Sequence, residues 1–224
     1  MRIFLKTLLS VVALLLIPGF AVSLWPEILK FGAFQMRHIL FLSGAAVCLL
    51  AIPLLRGSHF FRTFEHELTH LVAAKCFFAR MESLKVQSSG SGEVRYSRQS
   101  NFIIALAPYF LPLFASIFII LSPALHPAIS MYALAPAGFL LMHHLISTFS
   151  EAFTGQPDIQ QSGRLFSAVF IIFLGLIIYG CIISFAAGDH RDVLNFLKNG
   201  PVESWRIVSV YLPLIGKRLY SMVK

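Results

Sequence analysis

Five consecutive residues, His66-Glu67-Leu68-Thr69-His70, carry the chemistry most easily read from this chain. On a helix, residues four apart share a face, so both imidazoles can meet one metal ion while Glu67 lies beside them. A carboxylate at that offset is placed to take a proton from a coordinated water rather than to ligate. Zinc lowers the pKa of such a water to about 7, polarises a peptide carbonyl and keeps a coordination position open for substrate. With eight His and seven Glu in 224 residues, chance supplies roughly 0.01 matches to this pattern. The plainer alternative is three polar side chains satisfied by a neighbouring helix, but three ionisable groups in five residues solve a packing problem poorly.

Two imidazoles leave such a site incomplete, because catalytic zinc takes three protein ligands and a water. His143, His144, Glu151 and Asp158 are the later candidates. Adjacent His143 and His144 point about 100° apart on a helix, so at most one faces a shared site. Glu151 has an ordinary explanation as a helix-terminal charge, and Asp158, in Gln156-Pro157-Asp158-Ile159, as a turn or capping residue. Spacing alone does not choose among them.

The elements that must position these residues are written in the composition. Hydrophobic residues make up 57% of the chain and charged residues 12%, against about a quarter charged in soluble domains. A surface so poor in polar groups must face lipid. The net charge of +8 belongs to loops near anionic lipid and is not a nucleic-acid footprint. Cys48, Cys76 and Cys181 are scattered in apolar runs and fit neither a disulfide framework nor paired zinc spacing.

A spanning helix needs roughly 20 apolar residues. Charge-poor windows run over residues 7–26, 39–55, 101–121, 132–149 and 165–188. The first, after Arg2 and Lys6, also resembles a signal peptide ending at Ala21-Val22-Ser23; with further spans following, an uncleaved anchor is expected. Residues 60–79 are apolar but hold Arg62, Glu65, His66, Glu67, His70 and Lys75, and ionisable groups at membrane depth point to a functional site. Residues 81–97 alternate apolar and polar on either side of Ser88-Ser89-Gly90-Ser91-Gly92, which predicts a β-hairpin. Lys85, Arg95 and Arg98 read as solvated loop charges, and Asn101 as a helix N-cap. The segment 205–219 mixes Trp, Tyr and aliphatics with Arg206, Lys217 and Arg218, as an interfacial helix does.

The order of these features resembles the site-2 protease family of intramembrane zinc metallopeptidases, most of all its small bacterial members. Phe64-Glu65-His66-Glu67-Leu68-Thr69-His70-Leu71 opens a helix, the Gly-rich hairpin follows, then Leu106-Ala107-Pro108-Tyr109-Phe110 in a span and an isolated Asp158 beyond. The resemblance covers about residues 60–170. It implies a three-helix core with a membrane-associated hairpin, His66, His70 and Asp158 as ligands of one Zn2+ per chain, and Glu67 as general base. Asp158 stands in Pro-Asp-Ile, where better-known members have Leu-Asp-Gly.

The resulting expectation is an all-α polytopic membrane protein with about six membrane helices and a small β-hairpin after the His-Glu-x-x-His helix. Residues 1–59 form N-terminal anchoring helices, 60–188 a metallopeptidase core and 189–224 a basic amphipathic tail. The expected activity is zinc-dependent cleavage of a peptide bond in or near a transmembrane segment, in a bacterial plasma membrane. A membrane-protein substrate and the lipid bilayer are the partners, nucleic acid is not, and no substrate-binding residues are assigned. Two other readings use the same residues: an anchored zinc peptidase with a water-facing site and Glu151 as third ligand, and a non-catalytic metal-binding membrane protein. Glu67 weighs against the last, since transport needs ligands and not a non-ligating carboxylate.

Overall fold

The structure is a computed structural model that describes residues 2–55, 59–79, 81–86, 92–96, 101–152 and 155–223. Arg80, Arg98 and the turn residues 87–91 lie outside them. Among the described residues, ten α-helices and two strands follow in chain order: α1 (Arg2–Lys30), α2 (Met36–Leu55), α3 (His59–Cys76), β1 (Met81–Val86), β2 (Gly92–Tyr96), α4 (Phe102–Phe110), α5 (Leu113–Leu121), α6 (Pro127–Ser130), α7 (Leu134–Ala152), α8 (Pro157–Ser162), α9 (Arg164–Ala187) and α10 (His190–Val223).

Among the described residues, three helical stretches are long and apolar enough to cross a membrane: Ile3–Ala33, Met131–Glu151 and Arg164–Ala187. The pair α4 and α5 would make a fourth if counted as one broken span, bent by 75°. This count does not account for all of the about six membrane helices expected: α2 enters only as the shorter apolar stretch Met36–Ile52, and α3 carries Arg62, Glu65, Glu67 and Lys75 within eighteen residues, charges that are costly at membrane depth. The window 101–121, expected as one span, breaks where Pro112 precedes Leu113. Proline has no N–H to donate and restricts the residue before it, so a helix stops there. Conversely, the C-terminal amphipathic helix is longer than expected, running from His190.

The chain divides into two compact units, Met1–Ala33 with Ile172–Lys224, and Phe34–Ile171. In the first, Phe20 meets Phe173 and Phe196 edge-on, with ring centroids 6.2 and 5.5 Å apart. Ser204 Oγ donates to the Leu16 carbonyl at 2.9 Å. Lys30 Nζ bridges Glu27 Oε2 and Asp192 Oδ1 at 2.7 and 2.6 Å, tying α1 to α10.

The second unit holds the His-Glu-x-x-His helix. Here α2 and α7 cross closely: a Cβ on Gly44 would collide with the Ala135 carbonyl, and one on Gly138 with the Phe41 carbonyl. Such small-residue crossings let backbones approach where lipid supplies no hydrophobic drive. Helix α3 packs on α4, α5 and both strands, and α8 packs on α4. The strands are antiparallel, pairing Leu84 with Val94, Lys85 with Glu93 and Val86 with Gly92, with a register irregularity between Met81 and Ser83. Gly92, read from sequence as the end of the turn, is the first residue of β2. Asn101 Oδ1 accepts the Ile104 N–H at 2.9 Å, which is the N-cap bond expected of it.

Candidate metal centre

Helix α3 puts His66 and His70 one above the other, with ring centroids 4.9 Å apart, as four-residue spacing demands. Asp158 reaches them from the first turn of α8, a helix that Gly163 ends with a φ of +95°. Its Oδ2 lies 3.4 Å from His70 Nε2 and 3.9 Å from His66 Nε2. Donors bound tetrahedrally to zinc at about 2.0–2.1 Å stand about 3.3 Å from one another, so this spacing suits a single ion. Among the described residues, these three form a His/Cys/Asp/Glu group whose ligand atoms all lie within 4.8 Å of one another.

The far side of each ring decides what the near side can do. His70 Nδ1 is 2.9 Å from the Ile104 carbonyl. A carbonyl can only accept, so Nδ1 carries the proton and, in the neutral ring, Nε2 presents a lone pair. His66 Nδ1 is 3.2 Å from Glu151 Oε2, with the same consequence. Two nitrogen lone pairs and a carboxylate oxygen thus converge, and only a cation relieves their mutual repulsion. The residues fit a divalent metal, and imidazole with carboxylate fits zinc well.

The Ile104 carbonyl is available for a local reason. Its partner in an α-helix would be the N–H of residue 108, four positions on. That residue is Pro108, which has none. The carbonyl is left without its helical donor, and the His70 imidazole supplies one.

Of the four candidates left open by spacing, only Asp158 faces the two Nε2 atoms. Glu151 meets His66 from behind, with Oε1 3.3 Å from Arg62 Nε. His143 and His144 turn to a different carboxylate, that of buried Glu65, with Nδ1 atoms 3.6 Å from Oε2 and 3.7 Å from Oε1. Adjacent helix positions were expected to admit only one of them to a shared site. Both approach Glu65 because each reaches a different oxygen. Glu67 is half-buried and within electrostatic reach of His66, His70 and Asp158.

Three further groups meet the site: Arg62, one of the ionisable side chains of residues 60–79, Tyr109 of the Leu106–Phe110 segment, and the Ile104 carbonyl. Fully buried Tyr109 sets its ring edge-on to His66, centroids 5.4 Å apart. Arg62 had a signal, since it stands four residues before His66 on one helix face, and Pro108 announced a released carbonyl. Tyr109 had none beyond its place in α4.

No curated protein and no solved structure matches the chain. A family model described as Peptidase M50B-like matches residues 39–186, well over half of the chain and including every residue of this cluster, and the protein belongs to that membrane peptidase family.

Proposed function

We propose that the protein is a zinc-dependent intramembrane endopeptidase that cleaves a peptide bond in or near a transmembrane segment of another membrane protein. The observation that carries this reading is the convergence of His66 Nε2, His70 Nε2 and Asp158 Oδ2, beside Glu67, in a peptidase-family chain. His66, His70 and Asp158 would hold one Zn2+ per chain, which when bound supplies a Lewis acid for the scissile carbonyl and acidifies water. Glu67 takes a proton from the water that attacks the carbonyl carbon. It returns that proton to the amide nitrogen as the C–N bond breaks, so one residue serves as base and then acid.

A transmembrane helix hides its peptide bonds in its own hydrogen bonds, so cleavage requires local unwinding. Each strand of the β1–β2 hairpin has an edge outside the ladder, and an extended substrate segment would add there by strand pairing. In this reading the hairpin lies at the membrane, α3 joins the spans of a multi-pass core, and residues 1–59, with α1 and α2, serve as anchor. The basic segment 189–224 lies along the lipid interface, and the host membrane is a bacterial plasma membrane.

The test is to purify the chain in detergent, measure bound metal and follow cleavage of a model transmembrane peptide. Glu67→Gln should keep the metal and lose about 10²–10⁴-fold in rate, the usual share of acid–base catalysis. The His66→Ala/His70→Ala double variant should lose both. Undiminished cleavage in Glu67→Gln rejects the base, and a full metal complement in the double variant rejects the site.

A further inference from the structure

The two imidazoles are held from behind in unequal ways. His70 leans on a main-chain carbonyl, whereas His66 leans on a side chain, with Nδ1 and Glu151 Oε2 3.2 Å apart. That carboxylate also pairs with the Arg62 guanidinium, whose Nε is 3.3 Å from Oε1. Arg62 and His66 stand four residues apart on α3, so one helix face sets a cation and an imidazole a turn apart and Glu151 lies against both. The side chains of His66 and Glu151 are only 14% and 13% exposed, so water competes little for the contact.

Glu151 sits in the last turn of α7, and seven residues later the chain delivers Asp158. The stretch 151–158 therefore carries one carboxylate that meets the back of the His66 ring and one that meets its front. From its place at Nδ1, Glu151 is on the opposite side of the ring from the converging donors. An anionic acceptor there fixes the tautomer and makes the imidazole a better donor at its other nitrogen.

We propose that Glu151, oriented by Arg62, is a positioning residue that holds His66 with Nε2 presented to the metal. The inference rests on the metallopeptidase reading above, and it gives Glu151 a role distinct from that of a third ligand. The clamp also links metal affinity to the docking of the α7 terminus on α3.

The experiment titrates Co2+ into the purified full chain in detergent and records affinity, stoichiometry and the visible spectrum, with no substrate present. Glu151→Ala should weaken Co2+ binding about 10–100-fold, the usual cost of losing such a contact. It should keep one ion per chain and shift the absorption bands. Glu151→Gln, which retains an acceptor oxygen without the charge, should recover the spectrum and lose about tenfold or less. Wild-type affinity and spectrum in Glu151→Ala overturn the proposal, as does a folded Glu151→Ala that no longer binds a stoichiometric ion, since Glu151 would then be a ligand. Should Glu151→Ala fail to fold, Glu151→Gln decides: a measurable loss of affinity supports the clamp and wild-type affinity overturns it. If wild type binds no Co2+, or the His66→Ala/His70→Ala variant binds it equally well, the metal site itself falls and the clamp with it.

Discussion

Replacing Pro108 with Ala would restore an amide N–H one turn beyond Ile104 and return that carbonyl to its helical partner. In the present structure the carbonyl instead receives the His70 Nδ1 proton at 2.9 Å. Carbonyl oxygens have two lone pairs, so the imidazole would share the acceptor and its bond would weaken. A buried hydrogen bond contributes a net of about 0.5–1.5 kcal/mol, and 1.4 kcal/mol is about tenfold in an equilibrium constant. The affinity for Co2+ or Zn2+ should therefore fall about 2- to 10-fold. The same change removes a residue that costs a helix interior up to about 3 kcal/mol, an upper bound here because Pro108 stands near the end of α4. Thermal stability of the metal-free protein should accordingly hold or rise while metal affinity drops. That opposite movement separates a tuned site from a damaged fold. Competition titration with a chromophoric chelator, paired with thermal unfolding, measures both. Unchanged affinity would refute the argument that Pro108 frees the acceptor on which His70 relies.

Three further outcomes follow from the same geometry. Asp158→Asn removes the charge that faces both Nε2 atoms, and should weaken metal binding by more than the roughly 10–100-fold loss of an outer contact, in the same titration. Gly138→Leu drives a side chain into the Phe41 backbone of α2; overpacking of this kind costs about 1–3 kcal/mol or more, read as a lowered Tm in detergent. Asn101→Ala deletes the cap of α4 and should cost about 1 kcal/mol of stability; because α4 carries the Ile104 carbonyl, metal affinity measured alongside should fall with it.

Much of this molecule is legible before folding because its strongest signals are local. Apolar runs between charges mark α1, α7 and α9, since the helix period and the bilayer thickness fix how many residues a span needs. The His66–His70 pair and its flanking Glu67 follow from helical spacing alone. Alternation between residues 81 and 97 is likewise a property of neighbours in the chain. The break at Pro112 was present in the residues as well, yet hydropathy counts Pro112 no differently from its neighbours and reads one span where the backbone makes two helices.

Amino-acid order therefore determined that one helix would carry two imidazoles on a shared face, and that the chain would be apolar enough for a membrane protein. It did not determine which distant group meets them. Glu151, Asp158, His143 and His144 are chemically eligible to similar degrees, and they lie 73 or more residues beyond His70, beyond any periodic rule. The choice came from how α7 ends and α8 turns, which aims Asp158 at the Nε2 atoms, leaves Glu151 behind His66, and gives both histidines of α7 to Glu65. Local spacing sets what one helix face can offer; only the packing of helices far apart in sequence decides what comes to meet it.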